Sequence, residues 1–157
     1  MATIIRGDDD FDTTPAGLGK IIQIVGGVPT SYTRLQTSSS TFVDTDISGS
    51  ITPTSSSSKI IVIVATSCNT QAALRDAFVT VKRGSTNLGD SSLGMTRIKG
   101  HGGRIEVPVN ISFVDSPSTT SSVTYTVQVR SHAGGEIEIP ATNTGEKGSI
   151  MFLEVAS

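Results

Sequence analysis

At 157 residues the chain fits one domain, long enough to bury a core without disulfide support. Its formal net charge of −2 supplies no basic field for nucleic acid, and an aromatic content of 4% with no Trp argues against a stacking platform for sugars or single strands. The one cysteine, Cys68, can form no internal bridge, and the longest apolar run, Ile60 to Ala65, is far short of a membrane span.

Residues 1–18 read as an N-terminal arm with no core of its own. Ile4 and Ile5, followed by Asp8, Asp9, Asp10 and Phe11, are its expected anchoring residues on a partner. A single domain then occupies residues 19–157, opening with the strand-like "GKIIQIV". "GGVPTS", "DISGS" and "TPTSSSS" carry turn-formers. "KIIVIVAT" is apolar on both faces, the pattern of a strand covered on both sides. Helix formers succeed one another only from Asn69 to Asp76, enough for one or two helical turns.

From there the period is two. "DAFVTVKRG" sets Ala77, Val79 and Val81 against Phe78, Thr80 and Lys82. After the turn-rich "GSTNLGDSS" and "GHGG", "RIEVPVNISFVD" places Ile105, Val107, Val109, Ile111 and Phe113 on one face. Pro108, on the other, marks a bulge or a sheet edge. "VTYTVQVR" turns Val123, Tyr125, Val127 and Val129 inward, and "GEIEIP" is a short strand using Ile137 and Ile139. The closing "SIMFLEVA" is apolar on both faces, with Ile150, Phe152 and Val155 assigned to one and Met151 and Leu153 to the other.

Strands separated every ten to fifteen residues by Gly, Ser, Thr and Pro predict an all-β antiparallel sandwich or jelly roll. A thin sandwich with one face wet cannot cover both sides of the last strand. Ile150, Met151, Phe152, Leu153 and Val155 are therefore the expected subunit interface of a closed oligomer, a homotrimer.

The chemical motifs carry little. Arg6-Gly7-Asp8 spells an adhesion tripeptide but lies in the arm. Asp8, Asp9, Asp10 and Asp12 lack the central Gly and closing Glu of a calcium loop and read as a solvated acidic turn or a face for a basic partner. The sequon Asn110-Ile111-Ser112 falls on a strand. His101 and His132 precede paired glycines in loops. With Lys99 and Arg104 they form a candidate cationic surface that would touch an anionic glycan or another subunit. No phosphate loop, nucleophile elbow, HExxH or Cys-His pairing occurs, so neither enzyme activity, a metal nor any other cofactor is expected.

From Gly19 to the end the order of segments resembles a module of tailed-phage virion proteins, especially marine ones. The resemblance rests on "GKIIQIV", then "SSSTFVDTDISGSITPTSSSSKIIVIVATS", then the Arg-Gly ending of "VTVKRGSTNLGDSS", and a final "IMFLEVA" strand. It implies the C-terminal head of a tail fibre or a virion decoration protein, all-β and homotrimeric, without catalytic residues. Host attachment or particle assembly would be its work. No long shaft precedes the head here, so the expected place is close to the particle, as a capsid decoration, head-fibre knob or small tail protein. The expected partners are its own copies, other virion proteins reached through the arm, and a host-surface glycan, with no nucleic acid and no membrane insertion. It would be assembled in the host cytoplasm. A stand-alone carbohydrate-binding module is the competing expectation.

Overall fold

The computed structural model describes residues 20–71, 76–100, 102–132, 134–141 and 146–156. Within them the backbone is all-β, with no helix. The first strands are β1 (Ile21–Gly26), β2 (Thr30–Ser31), β3 (Leu35–Thr37), β4 (Val43–Ile51), β5 (Lys59–Thr70) and β6 (Ala77–Arg83). There follow β7 (Thr86–Asn87), β8 (Thr96–Ile98), β9 (Ile105–Asp115), β10 (Val123–Ser131), β11 (Ile137–Ile139) and β12 (Lys147–Val155).

They form two antiparallel sheets. In the larger, β5 is the axis. One edge pairs along Ile60–Thr70 with β9, and the other pairs with β12 and then, at Asn69 and Thr70, with β11. β1 lies outside β12, giving the order β1-β12-β5-β9, while β2 and β3 extend the sheet beside β12 and β11. The smaller sheet runs β4-β10-β6, with β7 and β8 on the far edge of β6. Successive long strands alternate between the sheets: β4, β6 and β10 in the smaller, β5, β9 and β12 in the larger. That alternation is why the sequence shows no two-residue hairpin turns between its long strands.

The period-two faces meet in one core. Ile47 and Ile51 of β4, Val79 and Val81 of β6, and Tyr125, Val127 and Val129 of β10 pack against Ile60, Val62 and Val64 of β5, Val109 and Ile111 of β9, and Ile150 and Phe152 of β12. The Tyr125 and Phe152 rings stack across the sheets with centroids 5.2 Å apart. The Tyr125 hydroxyl donates to Asp115 Oδ2 at 2.7 Å, and Arg83 Nη1 donates to both Asp115 oxygens at 2.8 and 2.7 Å, tying β9 to β10 and β6. Gly49 faces Phe152 on the inner side of β4, where a Cβ would come within 2.8 Å of the ring.

Several expectations are corrected. "DISGS" is not a turn but the middle of β4. The strand there bulges between the pairs Thr126↔Ser48 and Gln128↔Asp44, and Thr45 Oγ1 fills the gap by donating to Val127 O at 2.8 Å. Of the segment expected to carry helical turns, Asn69 and Thr70 continue β5, Gln71 and Asp76 are non-helical, and 72–75 lie outside the described residues. Pairing with two strands at once overrides the local helix propensity there. Pro108 does mark an edge, since β9 has β5 as its one strand partner among the described residues. The arm, residues 1–18, lies outside the described residues, and with it Arg6-Gly7-Asp8, the acidic run and the anchoring residues Ile4, Ile5, Asp8, Asp9, Asp10 and Phe11.

Candidate interaction surface

The five residues expected at the subunit interface divide between two faces. Ile150 and Phe152 point toward the smaller sheet and are 5% and 1% exposed, so they belong to the chain's own core and are not available to a partner. Val155 sits two residues beyond Leu153 and shares the outer face with it and Met151, not the face of Phe152. The inward position at that end is taken by Glu154. The error was one of parity, because side chains alternate strictly along a strand.

The outer face of the larger sheet is apolar across four strands. Directly paired residues in antiparallel strands share a face, and the register places Ile24 opposite Leu153, Leu153 opposite Ile61, and Ile61 opposite Val114. This row spans three inter-strand gaps, about 14 Å. Met151 and Ile63 follow in the next row, and a bulge in β1 at Ile21–Gln23 leaves both Ile21 and Ile22 exposed beside Val155. Ile24 and Val114, at the two ends of the row, are 62% and 63% exposed.

Toward the other end of the same face the chemistry becomes polar. Ser149, Ala65 and Asn110 form a row, and beyond them Ser67 Oγ accepts from the Ala141 N–H at 2.8 Å. Glu138, 1% exposed, accepts from Asn69 Nδ2 and from Arg34 Nη1, both at 2.5 Å. These partners occupy the buried carboxylate and leave it a structural role.

Glu154 is buried on the inner side of β12 and holds down the segment joining β4 to β5. Burial there opposes its ionisation, but hydrogen bonds, chiefly from Gln23 and Thr54, outweigh it and bring its pKa down to about 2. Thr54 donates through both N–H and hydroxyl, at 2.7 and 2.8 Å.

The outer face of the smaller sheet has the opposite character. Ser50 and Thr124 share a hydrogen bond at 2.7 Å, and Asp44 accepts from Lys82 at 2.6 Å and from Gln128 at 2.8 Å. Its large apolar side chain on β6, Phe78, is 3% exposed because Arg130 lies over the ring at 4.4 Å, Arg97 at 5.7 Å and the His132 ring edge-on at 6.2 Å. Arg130 also donates to Ser92 O and Ser40 O, fastening two loops over the strand. β6 is thus covered on both faces from Ala77 to Val81.

The residues expected to form a cationic surface are placed as follows. His101 lies outside the described residues, and His132 packs on Phe78. Arg104 turns to Glu106 and Ala141 O at 3.5 Å, while Lys99 faces a groove beside β9. Cys68 is buried, and burial followed by the Glu138 charge pushes its thiol up to about 12. Among the described residues no group of three or more His, Cys, Asp or Glu side chains is placed to hold a metal, and no helix is long and apolar enough to cross a membrane.

Ile24, Ile61, Ile63 and Val114 were not singled out from the sequence. Val114 did carry a signal: it is apolar on the parity that β9 otherwise gives to Glu106, Asn110 and Ser112. The surface the fold builds is therefore one wide apolar sheet face opposite one polar face. Neither a protein-family model nor a curated protein matches this chain.

Proposed function

We propose that the chain is a structural protein of a tailed-phage particle, a small β head that assembles with its own copies through the outer face of the larger sheet. The observation that carries the reading is the row Ile24–Leu153–Ile61–Val114, an exposed apolar band that a solitary soluble body has no use for. The strand orders support it. β1-β12-β5-β9 over β4-β10-β6-β8 is compatible with the eight-strand double Greek key of a jelly roll, a fold common among viral capsid and lectin domains. A three-fold axis through the apolar faces makes a closed homotrimer, leaving the polar faces outward. The residues from Gly19 onward that resemble phage fibre heads and decoration proteins agree with this reading. A location on capsid or tail and a role in assembly or host contact follow from it.

Light scattering tests the assembly: the expected mass is about three times 16.3 kDa. A monomer at micromolar concentration would sink it. Electron microscopy of particles carrying a gold-labelled chain tests the location, and label on neither shell nor tail would refute a virion role. The competing sugar-binding module finds no exposed aromatic ring among the large exposed side chains of the described residues. A glycan screen separates the two.

A further inference from the structure

On the side where β8 and β9 form the sheet margins, a groove of about 430 Å³ opens between the layers. One wall is Thr96 to Lys99, and the other is Ile105 with Val107 to Asn110. Both walls are edge strands, since β8 pairs with β6 and β9 with β5. The floor is apolar, with Ile98 and Val109 7% and 3% exposed and Val107 half-buried beside them. The lip is cationic. Arg97 is exposed and leans on Asp76 through Nε and Nη2, while Lys99 has no ion-pair partner among the described residues.

A strand added along β9 would lose a hydrogen bond at Pro108, which has no N–H. An occupant must therefore be held by side chains: an apolar anchor on the floor and carboxylates at the lip. Outside the described residues the chain carries that chemistry in Asp8-Asp9-Asp10-Phe11-Asp12, four carboxylates around one aromatic ring.

We infer that this acidic segment of a second copy seats in the groove, with Phe11 over Ile98 and Val109 and its aspartates facing Lys99 and Arg97. Covalent reach selects the neighbour. Lys20 precedes β1, three strand gaps from β9 and level with the Asp115 end, so the straight path to Pro108 is about 30 Å. The nine steps from Phe11 to Lys20 span at most about 30–32 Å. A fully extended arm would need all of that length to follow the straight line, and a path around the body is longer, so covalent reach favours an adjoining copy's groove over the chain's own. The inference rests on the self-association proposed above, and it gives the arm a role in locking copies together.

The test co-expresses two full-length variants, Asp12→Cys and a size-tagged Asn110→Cys, under mild oxidation. Buried Cys68 stays silent. The expected result is a mixed disulfide dimer on a non-reducing gel, and none when Asn110→Cys is replaced by Ser48→Cys on the opposite side of the body. Lys99→Glu lowers the mixed-dimer yield several-fold, and adding Asp9→Lys restores it. Equal yield with Ser48→Cys, or closure only when both cysteines are in one chain, overturns the inference. Light scattering on the same samples separates the two ideas: a trimer without the cross-link sinks arm docking alone, and a monomer sinks self-association with it.

Discussion

The double substitution Ile24→Lys and Val114→Lys attacks the two most exposed ends of the apolar row. Fully burying an Ile or Val side chain is worth about 1.5–3 kcal/mol. With 62% and 63% of these residues still exposed in the single chain, covering them contributes about 1–2 kcal/mol each per copy. Losing both terms costs each protomer about 2–4 kcal/mol of association, a weakening of roughly thirty- to a thousand-fold in dissociation constant. Lysines brought together about an axis weaken it further. The fold itself is expected to lose less than about 0.5 kcal/mol, because neither side chain is in the core. The assay is light scattering over a dilution series, with far-ultraviolet circular dichroism and a thermal melt to check the fold. Thr126→Lys on the opposite, polar face serves as the control and is expected to leave the mass unchanged. If the double variant keeps the oligomer and its dilution midpoint, the outer face of the larger sheet is not where copies meet.

Other perturbations probe the supports of that face. Gly49→Ala drives a Cβ to within 2.8 Å of the Phe152 ring, and overpacking of this kind costs about 1–3 kcal/mol in denaturant unfolding; an unchanged midpoint would contradict the packing. Glu154 has its pKa lowered in the folded state, so its contribution is complete above its ordinary value near 4.5 and is lost as pH falls toward about 2. That shift corresponds to about 3 kcal/mol, and solvent screening through the thin cover over Glu154 reduces the expected loss to about 1–2 kcal/mol. A Glu154→Gln variant should flatten the stability profile between those limits, and a profile as steep as the wild type's would count against the assignment. Cys68, with its thiol held near 12, is expected to ignore a disulfide reagent at pH 8 until the protein is unfolded; rapid native labelling would refute its burial.

Alternation alone was enough to place the inward faces of β9 and β10, because a strand with one wet side writes its burial directly into every second residue. The same rule failed on β12, where both faces are apolar. A continuous Ile-Met-Phe-Leu run has no polar residue to mark which side is core, and only pairing with β5 and stacking against Tyr125 settle that Phe152 points in and Leu153 out. It failed again at "DISGS", where small polar residues that favour turns were held in β4 by β10 and the bulge at Thr45.

Long-range register was beyond any local pattern. Nothing in the chain order announces that Ile24, Leu153, Ile61 and Val114, drawn from four distant segments, stand side by side, since pairing between strands a hundred residues apart is a property of the closed fold. Composition and periodicity thus dictated the all-β character and much of the core, because burial of alternate apolar residues is a local requirement. Tertiary structure alone decided which apolar residues were left over for a partner, because that depends on which faces the two sheets had already covered.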